Sequence, residues 1–110
     1  MIIYNVTVKI DVEVHDERLQ WMQTVHIIEV LRTGFFYDAQ IARILEQDER
    51  EGISYSVQYT CKDMATLQKY STDHAPRLQT EHAKRYKGKF VAFRTLLERV
   101  DKLTVTREGE

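Results

Sequence analysis

Apolar and polar residues alternate without a break from Ile2 to Val14. Ile2, Tyr4, Val6, Val8, Ile10, Val12 and Val14 share one face; Asn5, Thr7, Lys9, Asp11 and Glu13 share the other. A period of two at this length predicts a half-buried strand. The period then changes. Asp16 is placed to cap a helix, with Glu17 in its first turn. Leu19, Met22, His26 and Val30 form an inward stripe at helical spacing, flanked by Trp21, Val25, Ile27 and Ile28. Arg32 and Gly34 are the expected stop signals.

Residues 35–46 (FFYDAQIARILE) read as a second strand, and the polar QDEREG after them as a hairpin loop. In residues 53–61 (ISYSVQYTC), Ile53, Tyr55, Val57, Tyr59 and Cys61 alternate with Ser54, Ser56, Gln58 and Thr60, predicting the returning strand. Asp63 caps the next helix, whose predicted inward stripe is Met64, Leu67, Ser71 and His74. Pro76 cannot continue that helix but suits the first turn of a new one. There Ala75, Leu78, His82 and Tyr86 share a face until Lys87 and Gly88 end it. Residues 89–100 (KFVAFRTLLERV) form the last strand, apolar on both faces.

With right-handed crossovers, this order predicts an α+β, ferredoxin-like βαββαβ fold. It has a four-stranded antiparallel sheet with helices on one face and the first and third strands in the middle. The open face is polar at its centre and apolar at its margins, where Val91, Phe93, Leu97, Phe36 and Ile44 are expected. Two such faces can close on each other as a homodimer, which also protects the sheet edges.

Composition narrows the function classes. A chain of 110 residues suits one domain, expected over residues 1–101 with a flexible tail at 102–110. Sixteen basic and 17 acidic side chains leave a net charge of −1, which is no footprint for nucleic acid or an anionic membrane. The open face of the central strands also lacks the aromatics that base stacking requires. The start has no signal-peptide pattern, and no apolar run is long enough to span a membrane. The single cysteine, Cys61, has no internal partner and fits a cytoplasmic setting.

The chemistry on offer is mostly histidine. Three of the four histidines (His26, His74 and His82) fall where the helical period calls for a core residue, whereas His15 is expected to be exposed. A buried imidazole without a hydrogen bond costs about 1–3 kcal/mol, so three together point to a pocket. Trp21, His26, Tyr55, Tyr59, His74, His82 and Arg94 are the expected lining of a cleft between helices and sheet. His74 or His82 is the candidate acid or base. Arg94, expected to be buried, would be paired with Glu98, Glu81 or a partner chain, or else would anchor an anion. No close His or Cys pair suggests a metal, and no cofactor is implied. Cys61 reads as a small core hydrophobe, although its place before a capped helix would also favour a thiolate. The competing reading is a structural or interaction module whose histidines only satisfy one another.

The stretch ISYSVQYTCKDMATLQKYSTDHAPRLQ resembles the middle of dimeric α/β-barrel proteins, among them the antibiotic-biosynthesis-monooxygenase-like, EthD-like and stress-responsive families. Residues 1–100 are also similar to an uncharacterised bacterial family, a domain of unknown function seen mostly in Bacteroidota. The resemblance is carried by CKDMATLQKY, HAPRLQTEH and RYKGKFVAFRTLLE. It implies the ferredoxin-like fold, a homodimer and a cytoplasmic setting, and it supplies no activity. The monooxygenase branch would imply cofactor-free oxygenation of a phenolic substrate. Its haem-degrading members resemble this chain in the asparagine of the first strand, Asn5. They also carry a tryptophan after the third strand, where this chain has none, since its one tryptophan is Trp21.

Overall fold

A computed structural model of the protein describes residues 1–106. The strands are β1 (Ile2–Asp11), β2 (Asp38–Arg43), β3 (Gly52–Cys61) and β4 (Phe90–Glu98). They form one antiparallel sheet in the order β2-β3-β1-β4, so the first and third strands are central, as the pattern predicts. The helices α1 (His15–Trp21), α2 (Ile27–Arg32), α3 (Met64–Asp73) and α4 (Ala75–Arg85) cover one face. The architecture is the expected ferredoxin-like βαββαβ fold.

β1 ends earlier than its alternation does. Val12 and Val14 belong to a 3-10 turn, Val12 lies exposed, and His15 swings over β3 instead of into water. There His15 Nε2 meets the Tyr55 hydroxyl at 2.6 Å and Nδ1 meets Asp16 Oδ1 at 2.8 Å. Asp16 is therefore a partner of His15 and not the helix cap, which is Val14 with no side-chain bond. By contrast Asp63 caps α3 as expected, accepting from the Thr66 backbone N–H at 2.8 Å. Gly34 and Gly88, at φ 84° and 72°, end their helices in the left-handed conformation that suits glycine.

The first helical segment contains the main departure from the sequence pattern. Between α1 and α2, Met22–His26 is a π turn, in which the Ile27 N–H bonds to the Met22 carbonyl five residues back. Within it the Thr24 hydroxyl donates to the Gln20 carbonyl at 2.7 Å, competing with the α ladder. The wider turn resets the phase of the helix. The buried series is Arg18, Met22, Ile27 and Val30, while Leu19 and His26 are only half-buried.

The core lies between this layer and the sheet. Ala75, Leu78, His82 and Tyr86 all turn inward, as the α4 spacing predicts. In α3 the buried pair is Leu67 and Tyr70, so Met64 and Ser71 face water and His74 is half-buried at the α3–α4 corner. Phe36 is also in the core, not at the open margin. It precedes β2, out of its alternation, and packs edge-on against Tyr70 with centroids 4.7 Å apart. Cys61 is fully buried, and burial pushes its thiol up, consistent with a core role.

On the open face Asn5 bonds Thr7 and Ser56 at the centre, and Val91, Phe93 and Leu97 stand exposed along β4. Beyond β4 the Arg99 N–H bonds the Met1 carbonyl at 2.8 Å, and residues 101–106 are exposed without regular structure. Residues 107–110 of the expected tail lie outside the described residues. Among the described residues, no helix is long and apolar enough to cross a membrane.

Candidate ligand-binding site

A cavity of about 310 Å³ lies between the helices and the sheet. Val6, Val8, Val57 and Ala92 give its sheet side an apolar floor, and Met22, Val30 and Leu78 continue the apolar surface on the helix side. The polar groups on its walls are Arg18, His26, His82, Arg94, Gln79 and the tyrosines Tyr4, Tyr59 and Tyr70; among the described residues no carboxylate lines it.

Arg18 dominates the site. It is 1% exposed and forms no ion pair among the described residues. Its Nε–H donates to His82 Nε2 at 3.1 Å, and its buried Nη2 has no partner. Burial pulls the guanidinium down to about 10, the nearby tyrosines opposing that shift, so it still carries its charge at neutral pH. A buried arginine with no carboxylate partner is unusual.

Arg18 also dictates the state of His82. Accepting at Nε2 requires that nitrogen to be bare, which leaves the proton on Nδ1. Burial first, and then the charges of Arg18, His26 and Arg94, hold the imidazole down to about 3. His26 is held down to about 4, by burial and then Arg18. It stacks on Trp21 at 4.8 Å, and its buried Nδ1 has no partner. Burial pushes the Tyr59 and Tyr70 phenols well above their usual range, so both remain protonated donors. The cavity is therefore rich in N–H and O–H groups, with two fixed positive charges, Arg18 in its interior and Arg94 at its edge.

Four of the residues that the sequence marks for a site, His26, Tyr59, His82 and Arg94, come together on this cavity. Three do not line it. Trp21 backs His26 from outside, with the Arg85 guanidinium 5.2 Å from its ring centre. Tyr55 is taken up by His15. His74 packs on Phe35 and Tyr70 at the α3–α4 corner, because Tyr70 and not Ser71 or His74 fills the inward position of that helix. Arg94 is exposed and not buried: β4 is an edge strand, and the helices cover it only over Phe90 and Ala92. It pairs with none of the expected carboxylates, and its Nε donates to the Tyr4 hydroxyl at 2.9 Å at the cavity edge. Arg18 itself is absent from the sequence-level set. It lies one turn before Met22 on the same face, and its charge hides it from a reading that looks for apolar positions.

Among the described residues, no group of three or more His, Cys, Asp or Glu side chains is placed to share a metal ion. Asn5 lies on the open face, across the sheet from the cavity, bonded to its strand neighbours.

Solved structures share the fold at low identity. A candidate antibiotic biosynthesis monooxygenase from Deinococcus radiodurans matches with a TM-score of 0.69 and 14% identity, over 97% of this chain and 100% of that one. A dimeric ferredoxin-like protein from an uncultured marine organism gives 0.65 and 10%, over 96% and 100%. SnoaB, a cofactor-independent oxygenase from Streptomyces nogalater, gives 0.61 and 14%, over 93% and 96%. No curated protein matches the chain. Residues 1–100 match the model of a family described as Domain of unknown function (DUF4286).

Proposed function

Because the chain belongs to that family, whose description leaves its function open, we propose that the protein binds a small molecule in the cavity beneath its helices. Arg18 carries this reading: a charged side chain, almost wholly buried, with an unpartnered nitrogen on the wall of a cavity. An arginine kept only for structure would have a carboxylate or a full set of acceptors, since a buried charge is expensive when unpaired. The oxygenases among the structural neighbours support a small-molecule cavity at the level of fold analogy. The reading is of binding. For a cofactor-free oxygenase, His82 has its Nε2 engaged by Arg18 and His74 is not on the cavity wall, so neither histidine is placed as its base.

Blocking the cavity tests the reading. Half-buried Ala92 lines it from β4, opposite Val8. Ala92→Phe fills the space at a stability change of about 1–2 kcal/mol. Screened against one- and two-ring compounds, the natural protein is expected to give ligand-induced melting shifts that the variant loses. Equal shifts in both proteins would rule the cavity out.

We also read the protein as a homodimer closed through its open faces. Val91, Phe93 and Leu97, exposed by 70, 62 and 41%, make an apolar strip on a face that the chain itself leaves uncovered. The dimeric neighbour supports a dimer by analogy. Phe93→Glu is expected to convert the dimer to a monomer in sedimentation velocity; an unchanged sedimentation coefficient would contradict the proposed interface. A single domain over residues 1–101 and a cytoplasmic setting, supported by the unpaired Cys61, complete the reading.

A further inference from the structure

The donors on the cavity walls define a ligand class. Arg18 Nη2 is buried and unpartnered, and Arg18 Nε is already committed to His82. That contact forces the remaining imidazole hydrogen of His82 onto Nδ1, so the ring presents a donor and not an acceptor away from Arg18. Tyr59 and Tyr70 bring two protonated phenols to the same lining, and among the described residues no Asp or Glu lines the cavity. Between these donors and β4 the lining is Val, Leu, Met and Ala. A neutral or cationic ligand would leave the Arg18 charge uncompensated in an apolar surround, whereas a carboxylate would neutralise it and accept from its free nitrogen.

Resting on the small-molecule reading above, we infer that the ligand is a small organic carboxylate whose acid group meets the Arg18 guanidinium beside His82 and whose apolar body lies over Val6, Val57 and Ala92. Arg94 is the rival anchor. It sits at the exposed edge, where water already solvates it and Tyr4 accepts from its Nε, so it has less to gain from the acid. The volume, at the low end of the usual range of about 300–1,000 Å³ for ligand pockets, limits the body to one or two rings.

The test compares 2-naphthoate with 2-naphthamide, equal in shape and different in charge, by titration calorimetry on the intact natural protein and on two variants. The acid is expected to bind at least about tenfold tighter than the amide, as a charge-assisted contact to a desolvated arginine requires. Arg18→Met should erase that preference, and Arg94→Met should keep it. A preference lost with Arg94 and kept without Arg18 would move the acid to the cavity edge and overturn the assignment. An amide that binds as tightly as the acid would also overturn it while leaving the binding cavity intact. If neither compound binds, nor any of a panel of one- and two-ring acids and neutral aromatics, this inference and the small-molecule reading both fall. The comparison on the natural protein does not depend on either variant folding.

Discussion

Acidification from about pH 7 to about pH 5 is expected to lower the unfolding free energy by about 3–4 kcal/mol, measured by urea denaturation at the two pH values. His26 and His82 are the cause. Both are held below the ordinary histidine value in the folded protein, to about 4 and about 3, chiefly by burial and then by the Arg18 charge. In the unfolded chain they titrate near their usual value of about 6.5. Between those values the unfolded state binds more protons than the folded one, so stability falls as pH falls. The loss begins near about pH 6.5 and continues until the folded-state values are reached. Each histidine can contribute up to about 1.4 kcal/mol per pH unit, and the proximity of the two rings, with centroids 5.9 Å apart, keeps the folded state from taking up both protons. His82→Gln and His26→Gln should each flatten the acid limb. A profile as steep in the double variant as in the natural protein would assign the effect elsewhere.

How much of this was legible in the sequence depends on which kind of signal carried it. The central strands were readable because Tyr4, Val8 and Ile10 on β1, and Tyr55, Val57 and Tyr59 on β3, alternate and are all buried on the helix side. The inward face of α4 was readable for the same reason, since Ala75, Leu78, His82 and Tyr86 keep an undisturbed helical period. The first helix was not. A regular helix through Met22 turns His26 inward, whereas the π turn carries Ile27 there; Arg18, one regular turn before Met22, is a residue type that hydrophobic periodicity assigns to solvent. The candidate site inherited that error. His82 and His26 were found, and the charge that governs both was not. Tertiary contacts decided the remaining differences: the docking of His15 on Tyr55 removed Asp16 from the cap, and the aromatic cluster of Tyr4, Tyr59 and Tyr70 drew in Phe36.

The second large effect has the opposite sign. Arg18→Met is expected to stabilise the folded protein by about 1–3 kcal/mol in urea denaturation while removing carboxylate binding. The natural residue keeps a charge out of water with one hydrogen bond to a neutral ring and no counter-ion among the described residues. Methionine has similar length, no charge and the flexibility to fill the same space on the cavity wall. The variant does leave His82 Nε2 without its donor. That loss is partly offset because the ring, freed from the arginine field, can take either tautomer. A residue retained at the expense of stability is what a binding role predicts. If Arg18→Met instead lost several kcal/mol, the arginine would be a structural element of the core, and the case for a ligand would lose its main support.

The contact between Arg18 Nε and His82 Nε2 underlies both results, and nitrogen-15 NMR of the imidazole side chains reads it directly. The account predicts that His82 stays neutral from pH 7 down to about pH 4, with its proton on Nδ1 and Nε2 showing the shift of a hydrogen-bond acceptor. A His82 ring that takes up its proton between about pH 6 and 7, or that carries its hydrogen on Nε2, would mean that the guanidinium is not beside it and that the proposed site does not exist.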